Sequence, residues 1–122
     1  MKFTRDNVSP VSIRQAGTES ILIGDERITQ SVVLTHEQII RDWSPPQIDS
    51  LSEDEIEKIM ELQPEIVILG SGSVQRRPPN EFIYALARRG IGLEIMDTGA
   101  ACRTFNILLA EGRRLVALLT LG

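Results

Sequence analysis

The densest set of chemistry-bearing side chains lies in residues 94–112, EIMDTGAACRTFNILLAEG, which hold Asp97, Thr98, Cys102, Arg103 and Asn106. Cys102 would be a nucleophile if it were exposed and if a base or an electropositive setting lowered its thiol pKa. Arg103 and a helix start would supply such a field. The sole imidazole, His36, has nothing local that brings it near and reads as a surface or loop residue. The competing role for Cys102 is a small buried residue, because it shares a helix face with Phe105 and Leu109 by three- and four-residue spacing. That role is favoured. Arg103 could brace a carboxylate of Asp97 or of a ligand in bidentate fashion. Asn106, on the same side, could tie down a neighbouring loop. Thr98 is expected to be the N-cap of the helix, with Asp97 accepting another first-turn N–H.

A second polar stretch, Gly70-Ser71-Gly72-Ser73, follows an apolar run and precedes a helix. Open α/β sheets bind ligands there, outside the carboxyl ends of strands. Glycines admit an anion close to backbone N–H groups, and Arg76 and Arg77 would add charge. The match to known phosphate loops is poor: no Walker lysine follows, and Gln75 stands where a dinucleotide fingerprint has its third glycine. A tight surface loop with a solvated basic tip is the plainer role. If a ligand site exists, it is expected between residues 70–77 and 97–106, formed by Gly70, Ser71, Gly72, Ser73, Arg76, Thr98, Arg103 and Asn106. No catalytic residue, metal set or cofactor is expected. The acidic Glu53-Asp54-Glu55 is explained by helix capping, and no G-x-S-x-G elbow exists.

These residues need elements to hold them. The chain has 122 residues, 42% apolar and 25% charged, the mix of an ordinary globular domain. At 4% aromatics its core must be aliphatic. The net charge of −4 speaks against nonspecific nucleic-acid binding. One cysteine excludes an internal disulfide, and no apolar run reaches membrane-spanning length. The first residues carry no signal-peptide core, so a reduced, cytoplasmic setting is expected.

Residues 1–11 read as a poorly packed lead-in and 12–122 as one domain. Residues 12–16 and 20–23 are expected strands, with a turn at Gly24-Asp25. Residues 27–35 alternate loosely, as one interrupted strand or two short ones. Residues 36–43 are ambiguous between a helical turn and irregular chain, and Trp43 is a core anchor or an exposed partner contact. Residues 52–62 form a helix with a Ser52/Glu55 capping box and an apolar face of Ile56, Ile59 and Met60. The apolar run 66–69 marks a strand buried on both faces. A helix over 80–89, with a stripe of Phe82, Ile83, Leu86 and Ala87, should stop at Gly90. A strand at 92–96, a helix at 99–110 and a strand at 115–119 complete the chain. Right-handed crossovers then give three parallel strands in the C-terminal half. The short antiparallel strands in front must extend that sheet or form a second layer.

PEIVILGSG at 64–72, GIGLEIMDTGAACRTFN at 90–106, EGRRLVALL at 111–119 and the Trp43/Pro45 spacing carry a resemblance. They resemble a small family of bacterial and archaeal proteins of unknown function, whose eukaryotic relatives include a mitochondrial complex I assembly factor. The resemblance implies an α/β fold of three layers around a mixed sheet. It also implies a non-catalytic binding or assembly-accessory protein whose partner is another protein, an assembly client. The alternative is a small-molecule or anion-binding domain, or an enzyme, using the candidate site above.

Overall fold

A computed structural model describes residues 10–121. Its centre is a five-stranded mixed sheet of β4 (Val32–Thr35), β5 (Ile39–Ile40), β6 (Ile66–Gly70), β7 (Gly92–Met96) and β8 (Leu115–Leu119) in the order β5-β4-β8-β6-β7. β6 pairs in parallel with both β7 and β8, while β4 pairs antiparallel with β8 and with β5. The parallel half follows from the helix–strand alternation, since each helical crossover carries the chain back to the starting end of the strands, adding β7 on one side of β6 and β8 on the other. β1 (Ile13–Ala16), β2 (Ile21–Ile23) and β3 (Glu26–Ile28) form a separate antiparallel sheet. Both options left open for the front strands are therefore used: β4 and β5 extend the main sheet, and β1–β3 make a second layer.

Period-two alternation sorts the main sheet's side chains into two cores. All five residues of β8 are buried, but Leu115, Ala117 and Leu119 face one core and Val116 and Leu118 the other. The first core is closed by the small sheet and by α3 (Thr98–Ala110) through Ala101, Cys102 and Phe105. The second is closed by α1 (Glu53–Glu61) and α2 (Asn80–Arg88), with Trp43, Ile48 and Leu51 filling beneath the proline-containing connection. Trp43 is thus a core anchor, and Lys58 Nζ lies 5.3 Å from its ring centroid.

The capping box is complete. Ser52 Oγ accepts from Asp54 N at 3.3 Å, and Glu55 Oε1 accepts from Ser52 N at 2.7 Å. Ser52→Ala is expected to lower stability by about 1 kcal/mol in urea denaturation. An unchanged midpoint would mean that the box is redundant. Gly90 takes φ +73 just past α2, the left-handed conformation that favours glycine there.

Several expectations are corrected. The buried stripe of α2 is Phe82, Ala85 and Leu86, with Ile83 half-buried; Ala87 faces solvent, because the face that packs into the second core runs through those three at three- and four-residue spacing. Residues 36–43 hold the short strand β5, formed because a tight turn (Thr35 N to Gln38 O, 2.9 Å) folds Ile39 and Ile40 back on β4. His36 is not a bare loop residue: its Nδ1 accepts from Leu115 N at 3.1 Å and caps the start of β8. Val11 is buried in the first core, so packing begins inside the stretch expected to be a loose lead-in. The rest of that expectation, residues 1–9, lies outside the described residues.

Candidate functional site

The strand ends of β6, β7 and β8 converge on residues 70–76, as expected, but their polar groups are turned inward. Ser71 is buried and acts as a hub. Its Oγ donates within reach of Val74 O (2.6 Å) and Met96 O (3.2 Å) and accepts from Arg76 N (3.0 Å). The loop is thereby wound about one hydroxyl, and Ser71 N adds a bond to Met96 O at 3.0 Å.

Thr98 is not the N-cap. Asp97 holds that position and its Oδ1 accepts from Ala100 N at 2.9 Å, while Thr98 is the first helical residue and fully buried. Its hydroxyl accepts from Gly72 N at 2.8 Å and donates to Thr120 O at 2.7 Å, and its own N–H donates to Gly72 O at 2.9 Å. One side chain thus joins the ends of β6 and β8 to α3. Its hydroxyl is drawn away from capping because the two strand ends present it with a donor and an acceptor at once. Gly70 makes this approach possible: a Cβ there would lie 3.1 Å from Thr98 Cα and 3.1 Å from Ala101 Cβ.

The eight candidate residues do not gather around one cleft. Ser71, Gly72, Ser73 and Arg76 line a recess of about 160 Å³ together with Gln47 and Thr120, and no residue of α3 lines it. Arg103 is exposed and folds its guanidinium back over Gly99. Asn106 faces the small sheet. Its Oδ1 accepts from Ile13 N at 2.9 Å and its Nδ2 donates to Ile13 O at 2.8 Å. Where a neighbouring loop is the expected object for Asn106, the structure gives it a strand, β1, more than 90 residues away in the chain.

Cys102 is packed in the first core, and burial pushes its thiol pKa up to about 11, against a smaller lowering by Arg103. A thiolate, not a thiol, attacks disulfide reagents. Native protein at pH 8 is therefore expected to resist labelling by an aromatic disulfide and to react in full once unfolded in urea. Fast stoichiometric labelling of the native state would contradict this burial. Among the described residues no group of three or more His, Cys, Asp or Glu is arranged to hold a metal ion.

Polar groups that sequence reasoning passed over include Ser71 as a hub and the pairing of Glu65 with Arg113 and Arg114. The Glu65 pairing spans almost 50 residues of chain and has no local signal, and Ser71 becomes a hub only when the end of β7 brings Met96 O beside its loop.

Known proteins share this architecture. A Xanthomonas campestris protein solved by NMR superposes with a TM-score of 0.82 at 31% identity, covering 90% of this chain and 83% of that one. The human protein named NADH dehydrogenase (ubiquinone) 1 alpha subcomplex assembly factor 3 is 29% identical over 111 residues, 89% of this chain. A protein of Francisella tularensis named 13 kDa major membrane protein is 35% identical over 66 residues, 54% of this chain. The chain spans 60% of the length of the human relative and 54% of the other. Among the described residues no helix is long and apolar enough to cross a membrane. Residues 13–120 match the family described as "Protein of unknown function (DUF498/DUF598)", and this chain belongs to that family.

Proposed function

We propose that this chain is a non-catalytic protein-binding module that accompanies a client protein during assembly. The observation that carries the reading is its similarity, over 89% of its length, to a human protein named as an assembly factor. The strand-end chemistry is in keeping with it. The hydroxyls of Ser71 and Thr98 and the N–H groups of Ser71 and Gly72 hold the fold together, and the Cys102 thiol is buried. The client is a protein rather than a nucleic acid, in keeping with the net charge of −4. A cytoplasmic home is part of the reading, and cell fractionation checks it.

The direct test is in-cell crosslinking of the tagged chain in its own host, followed by mass spectrometry and size-exclusion chromatography. One or a few proteins should co-elute with it in fixed stoichiometry. Elution of the chain alone, with crosslinks scattered over unrelated proteins, would sink the reading. One observation favours the second reading, a small-anion site: exposed Ser73 and Arg76 flank the 160 Å³ recess. Phosphate titration followed by amide chemical shifts decides it, and unmoved resonances at Ser73 and Arg76 remove it.

A further inference from the structure

At the opposite end of the parallel strands, where β6, β7 and β8 begin, a groove of about 890 Å³ runs along the surface. Three arginines line it (Arg89, Arg113 and Arg114) against two glutamates (Glu65 and Glu94). That balance is reversed in the chain as a whole, which carries 13 basic and 17 acidic residues. One of the two carboxylates is already shared. Glu65 Oε1 accepts from Arg113 Nε at 2.9 Å and from Arg114 N at 3.1 Å, and Oε2 lies 3.7 Å from Arg114 Nη1. The Arg113 hydrogen bond, with Arg114 adding to it, holds the Glu65 carboxyl below the usual carboxylate range. Arg89 Nη1 donates to the neutral carbonyl of Ala85 at 2.8 Å, and Arg114 Nε donates to that of Gln63 at 3.1 Å. The guanidinium charge in the groove therefore exceeds what its carboxylates balance.

A second observation comes from β7, which among the described residues is an edge strand paired with β6 alone. Gly92 N donates to Glu65 O, and Met96 O accepts from Ser71 N, so the even-numbered residues turn their peptide groups to β6. Alternation then turns those of Leu93 and Ile95 to the open side. Gln75 Nε2 occupies Ile95 O at 3.0 Å and covers the far end of that edge. The near end, at Leu93, adjoins the groove, which Gly92 and Glu94 help to line. An unpaired strand edge is a template for an extended segment.

Resting on the protein-binding reading, we propose that this groove docks an acidic, extended segment of the partner protein. Its carboxylates meet Arg89, Arg113 and Arg114, and its backbone pairs with Leu93 on β7. Guanidinium groups suit carboxylates because their forked donors match the two oxygens. The groove is far larger than a single ion needs, and a strand edge reads a peptide backbone rather than a sugar-phosphate one.

The test uses a fluorescein-labelled octapeptide of alternating glutamate and valine, followed by anisotropy and amide chemical shifts on the full chain. Binding should move the resonances of residues 89–93 and 113–114 and should fade in high salt. The Arg89→Gln/Arg114→Gln double variant, checked for an unchanged melting temperature, should bind about tenfold more weakly. Glu94→Gln should bind more tightly. The proposal is overturned by equal affinity of wild type and double variant, by shifts confined to other surfaces, or by tighter binding of the lysine–valine counterpart. Tighter binding of an oligothymidylate of equal length would overturn it as well. A cellular complex that forms normally with the double variant would refute the groove and leave the protein-binding reading intact. Peptide binding without any cellular partner would do the reverse.

Discussion

Thr98→Val should destabilise the protein by about 3 kcal/mol, because a near-isosteric change leaves Gly72 N–H and Thr120 C=O without their partner. Thr98 is fully buried, so its removal also leaves little room for water to substitute. A loss of this size is a large share of a typical domain's stability. Urea denaturation should show a lower midpoint with an unchanged slope, the sign of altered stability without altered compactness. Thr98→Ser is the control: it keeps the hydroxyl and loses one methyl, with an expected cost of about 1 kcal/mol. If Val and Ser variants lose the same amount, the hydroxyl is not the link between strand ends that its distances suggest.

Asn106→Leu ranks second, at about 2–3 kcal/mol. The carboxamide accepts from and donates to one residue's backbone, as a neighbouring strand would, on the side of β1 that has no paired strand among the described residues. Ile13 is buried, and Leu cannot offer either bond. The effect should also be local. Amide hydrogen exchange should quicken across β1, β2 and β3 more than across β6, β7 and β8. Uniform acceleration would mean that the small sheet and the main sheet open as one unit. Asn106→Asp separates the two bonds, since a carboxylate retains the acceptor for Ile13 N and loses the donor.

Much of the parallel half is legible in the residues themselves. The run Ile66–Gly70 and the five buried residues of β8 are continuous apolar stretches, as strands covered on both faces require. Ser52 with Glu55 and Gly90 with Arg89 mark helix ends by chemistry that acts within a few residues. What could not be read depends on partners distant in the chain. Thr98 looks like a cap because capping is a local preference; its hydroxyl bonds Thr120, and only the assembled sheet puts that carbonyl beside it. Asn106 has the same history with Ile13, and His36 with Leu115. β5 was hidden because two residues carry no periodicity, and the turn at Thr35 that creates them has neither glycine nor proline. In the candidate site, the loop position was legible from the strand–glycine–helix order. The inward direction of its polar groups was not.

The sheet order places β8 between β4 and β6, although β8 follows both in the chain. Before β8 is inserted, β4 with β5 is an isolated two-stranded hairpin, and β6 with β7 is a separate parallel pair. Two-stranded pieces of this length are marginal in water. The step that joins them closes long loops, which slows folding relative to a chain of local contacts. The barrier to folding should therefore be crossed as β8 docks, and substitutions at Val116 and Leu118 should slow refolding more than those in α2.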